Sequence, residues 1–289
     1  MPDSYSKSRE PGKFSIRFGS ELLILDKPKV MGILNLTPDS FYSASRSESE
    51  ETLFNSAEKM VQEGAAFLDL GGYSTRPGAT EVSEEEEMKR VLPFFEKLKK
   101  EFPGVYLSID TYRPEVARRA LDMGADWIND VSGGIENEDM WSLAAEKGVP
   151  YILMHNRGGI SKFHQPQTYS NVALEISQEL SFQLAAARRV GITDVIVDPG
   201  FGFSKKGNQN FELLNHMEYM HRLNSPVLVG LSRKSMIYKT LEIDPIDALC
   251  GTIALNTVAI LKGAHILRVH DVKPAFQTIE LMNNLCLPE

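Results

Sequence analysis

From Lys29 onward the chain repeats one pattern eight times, a compact apolar run followed by a longer amphipathic stretch. Short runs that are apolar throughout are the mark of parallel strands buried on both faces, and the stretches between them carry helical periodicity. The strand candidates fall at 30–34, 67–70, 105–109, 127–129, 151–154, 195–197, 227–230 and 266–269. Helical patterns lie near 50–63, 84–101, 114–123, 138–147, 170–190, 210–222, 245–262 and 273–286. The punctuation agrees. Gly64, Gly124, Gly148, Gly191 and Gly263 each stand where a helix must stop before the next strand. Ser83 precedes an acidic run suited to a helix N-terminus, and Asp244-Pro245 gives an N-cap with proline at the first helical position. The run 84–87 itself reads as a solvated helix face.

Eight strand-then-helix units predict an α/β fold, a (β/α)8 TIM barrel, although an open doubly wound sheet uses the same alternation. The 289 residues accommodate one barrel of about 250 residues with a small decoration. That decoration is a β-hairpin: two β-type runs, 14–18 and 22–25, flank Gly19-Ser20-Glu21 and are placed to plug one end of the barrel. The expected division is a tail and hairpin over 1–28 and the barrel over 29–289.

Charge and cysteine usage exclude several functions. A formal net charge of −8 argues against nucleic-acid binding, which needs clustered Lys and Arg, but leaves room for a locally positive pocket. Two distant cysteines, Cys250 and Cys286, form neither a disulfide framework nor a zinc motif, and a reducing cytoplasm is the expected compartment. The polar stretch from Met1 to Lys13 lacks the apolar core of a signal peptide. The most apolar helical stretch, 248–261, is too short to span a bilayer, so no membrane partner is expected.

The residues just past each strand carry the chemistry. In chain order the strands run into Asn35-Leu36-Thr37-Pro38-Asp39-Ser40-Phe41, Gly71-Gly72-Tyr73-Ser74-Thr75-Arg76-Pro77-Gly78, Asp110-Thr111-Tyr112-Arg113 and Asn129-Asp130-Val131-Ser132-Gly133-Gly134. The remaining four run into Met154-His155-Asn156-Arg157-Gly158, Asp198-Pro199-Gly200-Phe201-Gly202-Phe203, Ser232-Arg233-Lys234-Ser235 and Arg268-Val269-His270-Asp271. In a parallel barrel these ends converge at one mouth.

Taken singly, each has a plainer reading. Asp110, Asn129 and Asp198 suit helix caps or turns, Arg268 and His270 suit a structural ion pair, and Phe201 and Phe203 suit core filling or, better, a loop wall. Taken jointly they divide into two subsites. Asp110, Asn129, Asp198 and Lys234 match a flat, nitrogen-rich heterocycle, because a carboxylate accepts parallel bonds from an amino-pyrimidine edge as it does from a guanidinium. Asn35, Arg268 and His270 form an anion-handling set, with Asn35 or Asp39 able to offer oxygen to Mg²⁺. Ser235 is placed to open a helix whose free N–H groups favour a carboxylate or phosphate.

The strings Met31-Gly32-Ile33-Leu34-Asn35-Leu36-Thr37-Pro38-Asp39-Ser40-Phe41 and Ser74-Thr75-Arg76-Pro77-Gly78 resemble the two signature segments of the dihydropteroate synthases. The blocks at Asp110, Asn129, Asp198, Ser232 and Arg268 come in the same order. The resemblance implies a barrel, usually a homodimer, that joins a dihydropterin diphosphate to para-aminobenzoate with Mg²⁺. It further implies that Asp110, Asn129, Asp198 and Lys234 hold the pterin, with Met154 and Phe203 as walls. Asn35, Arg268 and His270 would grip the diphosphate. Loops carrying Asp39, Phe41, Thr75, Arg76 and Pro77 would complete the para-aminobenzoate pocket, and Ser235 would face that substrate's carboxylate.

Two departures from the family pattern stand beside these loops. Tyr42-Ser43-Ala44-Ser45-Arg46 replaces a common Ser-Asp-Gly-Gly, and Tyr73 replaces a common Glu or Gln. The alternatives are a methyltetrahydrofolate–corrinoid methyltransferase relative and a non-catalytic pterin-binding paralogue. The first has no use for Thr75-Arg76-Pro77 or the anion set, and the second should have lost loop or anion residues that are kept here.

Overall fold

The computed structural model describes residues 13–36, 46–73, 82–134, 138–163 and 165–286. Two strands, β1 (Phe14–Phe18) and β2 (Glu21–Leu25), pair antiparallel as a separate hairpin. Eight more complete the set: β3 (Lys29–Asn35), β4 (Phe67–Gly71), β5 (Tyr106–Asp110), β6 (Trp127–Asp130), β7 (Tyr151–Met154), β8 (Val195–Asp198), β9 (Leu228–Val229) and β10 (Ile266–Val269). They form one parallel sheet in the order β8-β7-β6-β5-β4-β3-β10-β9. The two ends of that order meet. Val197 and Val227 form a parallel bridge, and the Val197 N–H donates to the Pro226 carbonyl at 2.9 Å. This contact rules out an open doubly wound sheet, and the (β/α)8 barrel stands.

The connecting helices are α1 (Arg46–Gln62), α2 (Glu84–Glu101), α3 (Pro114–Asp122), α4 (Glu138–Lys147), α5 (Val172–Val190), α6 (Gly207–Asn215), α7 (Ser235–Leu241), α8 (Leu249–Leu261) and α9 (Val272–Cys286). The five stop glycines have φ between 63° and 114°, the region where a Cβ is costly. Ser83 caps α2 by accepting the Glu86 N–H at 3.2 Å.

Three expectations need correcting. The pattern at 210–222 is α6 followed by a 3₁₀ segment, Met217–Leu223. Asp244-Pro245 opens only the 3₁₀ turn Pro245–Asp247, with no side-chain cap, and α8 begins at Leu249. The helix α7, expected from Ser235, does not stand among the eight amphipathic stretches, because seven residues make two turns, too few for a periodicity to register. The acidic run also divides: Glu84 and Glu85 are exposed, but Glu87 is fully buried and paired with Arg113 at 2.6 Å.

Alternation along the strands sorts their side chains into two cores. Outward residues such as Val30, Leu68, Leu107 and Ile128 join the helices in the large cluster. Inward residues at the N-terminal strand ends, Met31, Phe67, Trp127, Ile152, Ile196, Leu228 and Ile266, meet Ile16, Phe18 and Leu25 of the hairpin. Phe18 stacks on Tyr106 with centroids 4.0 Å apart and sits edge-on to Trp127 at 5.5 Å. Burying a side chain of that size stabilises by about 1.5–3 kcal/mol. The hairpin is thus a plug, as its two apolar runs suggested. It seals the N-terminal end of the barrel and leaves the C-terminal mouth for chemistry. Among the described residues, no helix is long and apolar enough to cross a membrane.

Candidate functional site

The same alternation that buries the plug lifts a ring of polar side chains toward the mouth. Two residues beyond inward Phe67 comes Asp69, beyond Trp127 comes Asn129, beyond Ile196 comes Asp198, and beyond Ile266 comes Arg268. Strand register sets neighbours side by side: Asp110 lies opposite Asn129, and Met154 opposite Asp198.

Arg268 is the hub. Its Nε donates to Asp69 Oδ2 at 2.6 Å and its Nη2 to Asp110 Oδ2 at 2.5 Å. Asp69 Oδ2 also accepts from Asn129 Nδ2 at 2.8 Å. The Asp69 side chain is wholly buried, and that of Asp110 is 13% exposed. Burial drives the Asp110 carboxyl up from its ordinary range, with Arg268 opposing. Burial alone would lower Arg268, but Asp69 and Asp110 hold its guanidinium above its usual value. Asp110 Oδ1 is buried and has no hydrogen-bond partner among the described residues. Such an acceptor is either a standing cost or a place kept for a ligand donor.

Across the mouth, the turn after β8 brings Asp198, Lys234 and Phe203 together. Asp198 Oδ1 accepts the Gly200 N–H at 2.7 Å, so the turn-forming role is real, yet the carboxylate also lies in the field of Lys234. Burial raises the Asp198 carboxyl, and Lys234 opposes that rise. Lys234 Nζ donates to the Phe201 carbonyl and sits 4.7 Å from the Phe203 ring centroid. Burial lowers its ammonium to about 8. Met154 packs with Val131, Phe163 and Phe203 in a small apolar cluster at this rim. Phe201 belongs to the main core instead and is fully buried, so the loop-wall reading holds for Phe203 alone.

The loop after β9 is held rigidly. Arg233, at φ +53°, pairs Nε and Nη2 with the two Asp271 oxygens at 2.8 and 2.9 Å. It also donates to the Pro245 carbonyl at 3.0 Å and to that of Ile246. Ser235 opens α7, with Lys234 at the cap position, as the sequence suggested. His270, one residue past β10, receives backbone support through its N–H to Ser232 Oγ at 3.2 Å. Arg268 therefore does form a structural ion pair, with the two aspartates and across three strands.

Asn35 ends β3, half-buried, and offers one neutral amide oxygen. Among the described residues no three His, Cys, Asp or Glu side chains cluster to hold a metal. Thr37, Asp39, Phe41, Thr75, Arg76 and Pro77 lie outside the described residues.

Two site residues escaped the sequence reading. Asp69 was hidden inside an apolar run, although a single acid at an inward strand position is itself a signal. Lys205 gave none, being one of two adjacent lysines of which Lys206 is exposed. Its Nζ donates to the carbonyls of Gly200 and Phe203 at 2.8 and 3.0 Å and approaches His155 Nδ1 at 3.3 Å. The β8 turn is also pinned at Gly200, whose φ is +70° and where a Cβ would collide with the His155 carbonyl. Gly200→Ala is expected to cost about 1–3 kcal/mol, measured as a lower urea midpoint at unchanged slope; an unchanged midpoint would refute the close approach.

Known proteins resemble this chain closely. The model of the pterin binding enzyme family matches residues 31–270. A dihydropteroate synthase of Escherichia coli K12 is 42% identical over 262 residues, 90% of this chain and 91% of the relative. One from Synechocystis is 43% identical over 259 residues, 89% of each chain. The Xanthomonas albilineans dihydropteroate synthase solved with 4-aminobenzoic acid superposes with a TM-score of 0.88 at 36% identity, covering 96% of this chain and all of that one. The same enzyme solved with 7,8-dihydropteroate gives 0.85 at 33% identity, with 96% and 100% covered.

Proposed function

The chain belongs to the dihydropteroate synthase family of pterin-binding enzymes, and on that premise we propose how its barrel mouth carries the reaction. It is a transferase that joins 6-hydroxymethyl-7,8-dihydropterin diphosphate to para-aminobenzoate, giving 7,8-dihydropteroate and diphosphate. The observation that carries the site assignment is Asp110, with one oxygen tied to Arg268 and the other buried and, among the described residues, unclaimed.

In this reading the pterin lies over Asn129, Met154 and Phe203, and its ring N–H groups are received by Asp110 Oδ1 and Asp198. Lys234, on the other side of Asp198, fixes the ring's polar edge. The diphosphate lies toward Asn35, Arg268 and His270. As the C–O bond lengthens, positive charge grows on the methylene and negative charge on the leaving diphosphate. Asp110 and Asp198 favour the first and the cations the second, without reorganisation at the moment of reaction. The arylamine of para-aminobenzoate then attacks as a neutral nucleophile, its carboxylate toward Ser235 and the opening of α7. Asp39, Phe41, Thr75, Arg76 and Pro77 complete that pocket and exclude water that would capture the methylene.

The donor set fits Mg²⁺ carried mainly by substrate. This hard cation binds few protein oxygens and several phosphate oxygens, and Asn35 supplies a single neutral one. When bound, it neutralises charge developing on the diphosphate. Assembly as a homodimer is part of the same proposal, supported by exposed Leu281 and Leu285 on α9.

The test is product formation from both substrates with Mg²⁺, detecting dihydropteroate by mass. Product is expected. Calorimetric pterin binding with no product would favour a binding paralogue or a methyltransferase relative.

A further inference from the structure

Lys205 is buried to 7% exposure, and among the described residues no carboxylate touches it. An ammonium has three N–H donors, and three neutral acceptors meet it here: the Gly200 and Phe203 carbonyls and His155 Nδ1. The acceptors come from the two loops that form one wall of the mouth, after β7 and after β8. The Lys205 ammonium therefore ties that wall together from behind.

The imidazole relays the tie outward. Burial and then Lys205 lower His155 to about 4, so the ring is neutral near pH 7. Its neighbours then assign the tautomer: Nδ1 accepts from Lys205, and Nε2–H donates to Glu179 Oε2 at 2.8 Å. Burial pushes Glu179 up, but His155 and Arg157 hold it down to about 2. Arg157 grips Glu179 and, at 2.9 Å, Glu175, fastening the network to α5.

The segment held this way runs from Asp198 to Phe203. Its first residue turns its carboxylate toward Lys234, and its last presents its ring beneath the same ammonium. Burial lowers the Lys205 ammonium to about 7, with Asp198 opposing, and in its charged form below that pH it favours the ionised Asp198 carboxylate. We infer that Lys205 is a positioning residue for the pterin subsite, fixing the Asp198–Phe203 turn against His155. This deepens the site reading given above and rests on it.

Lys205→Met keeps the stem and removes the charge and all three donors. It is expected to weaken calorimetric binding of 6-hydroxymethyl-7,8-dihydropterin diphosphate about tenfold or more, while KM for para-aminobenzoate changes less than about twofold. The deciding measurement is a double-mutant cycle with Asp198→Asn. If the lysine acts through the Asp198 carboxylate, Lys205→Met costs much less pterin affinity in the Asp198→Asn background than in the wild type. Additive losses, or equal losses toward both substrates, overturn the inference. Lys205→Gln, which keeps amide donors without the charge, serves if the methionine variant does not give a cooperative thermal transition. Failure of both to fold would make the lysine a fold anchor and also overturn it. A wild type that does not bind the pterin would sink the site reading itself. Wild-type binding lost in Asp198→Asn but kept in Lys205→Met would sink this inference alone.

Discussion

Arg268→Ala is expected to lower stability by about 3–5 kcal/mol and to remove measurable dihydropteroate formation. The stability loss comes from the two carboxylates that the guanidinium leaves behind. Asp69 is wholly buried and Asp110 nearly so, and both lose the only cation that contacts them among the described residues. Uncompensated charge in such a place costs several times what an exposed pair contributes. For a chain of this size, that loss is about 6–20 °C in melting temperature. The pH dependence gives a second check. Burial already raises Asp110, and without Arg268 it rises further, so lowering the pH protonates it and relieves the variant. The gap between wild type and variant should narrow on acidification. Adding Asp69→Asn should recover part of the stability but none of the turnover. An unchanged melting temperature in the single variant would mean that the three-residue network contributes little.

That network shows where sequence reasoning reaches and where it stops. The eight-unit alternation and the stop glycines placed the strands to within a residue or two, because a strand buried on both faces leaves an unbroken apolar run. The residues just beyond those runs were legible for the same reason: a barrel collects all C-terminal ends at one mouth. Asp69 was not, because it lies within a strand and only the inward parity of Phe67 marks it. Lys205 was out of reach altogether. Its burial rests in part on one acceptor from a loop fifty residues earlier, and no local pattern encodes His155 beside it. Glu87 failed similarly, since an acidic run on a helix reads as solvated until Arg113 arrives from the next unit.

Lys234→Met should give the opposite stability signature with a comparable loss of activity. Lys234 contacts the Phe201 carbonyl and the Phe203 ring, and its favourable charge partner, Asp198, is itself stabilised by the Gly200 N–H. Burial has brought the ammonium from 10.5 to about 8. A lysine whose folded value lies below its unfolded one is a net cost to folding below pH 8, and the cost disappears as the pH climbs toward the unfolded value. Removing the charge should therefore leave the melting temperature at pH 7 unchanged or raised. Catalysis loses a preorganised cation at the pterin edge, and kcat/KM for the pterin should fall about 10²–10³-fold. The wild-type enzyme supplies the independent arm. Since kcat/KM reports ionisations of the free enzyme, it should decline above about pH 8 as Lys234 gives up its proton. A profile flat well past that point would show that the ammonium form is not required. A variant that melts several degrees lower would show that Lys234 holds the Phe201–Phe203 turn together more than it serves the substrate.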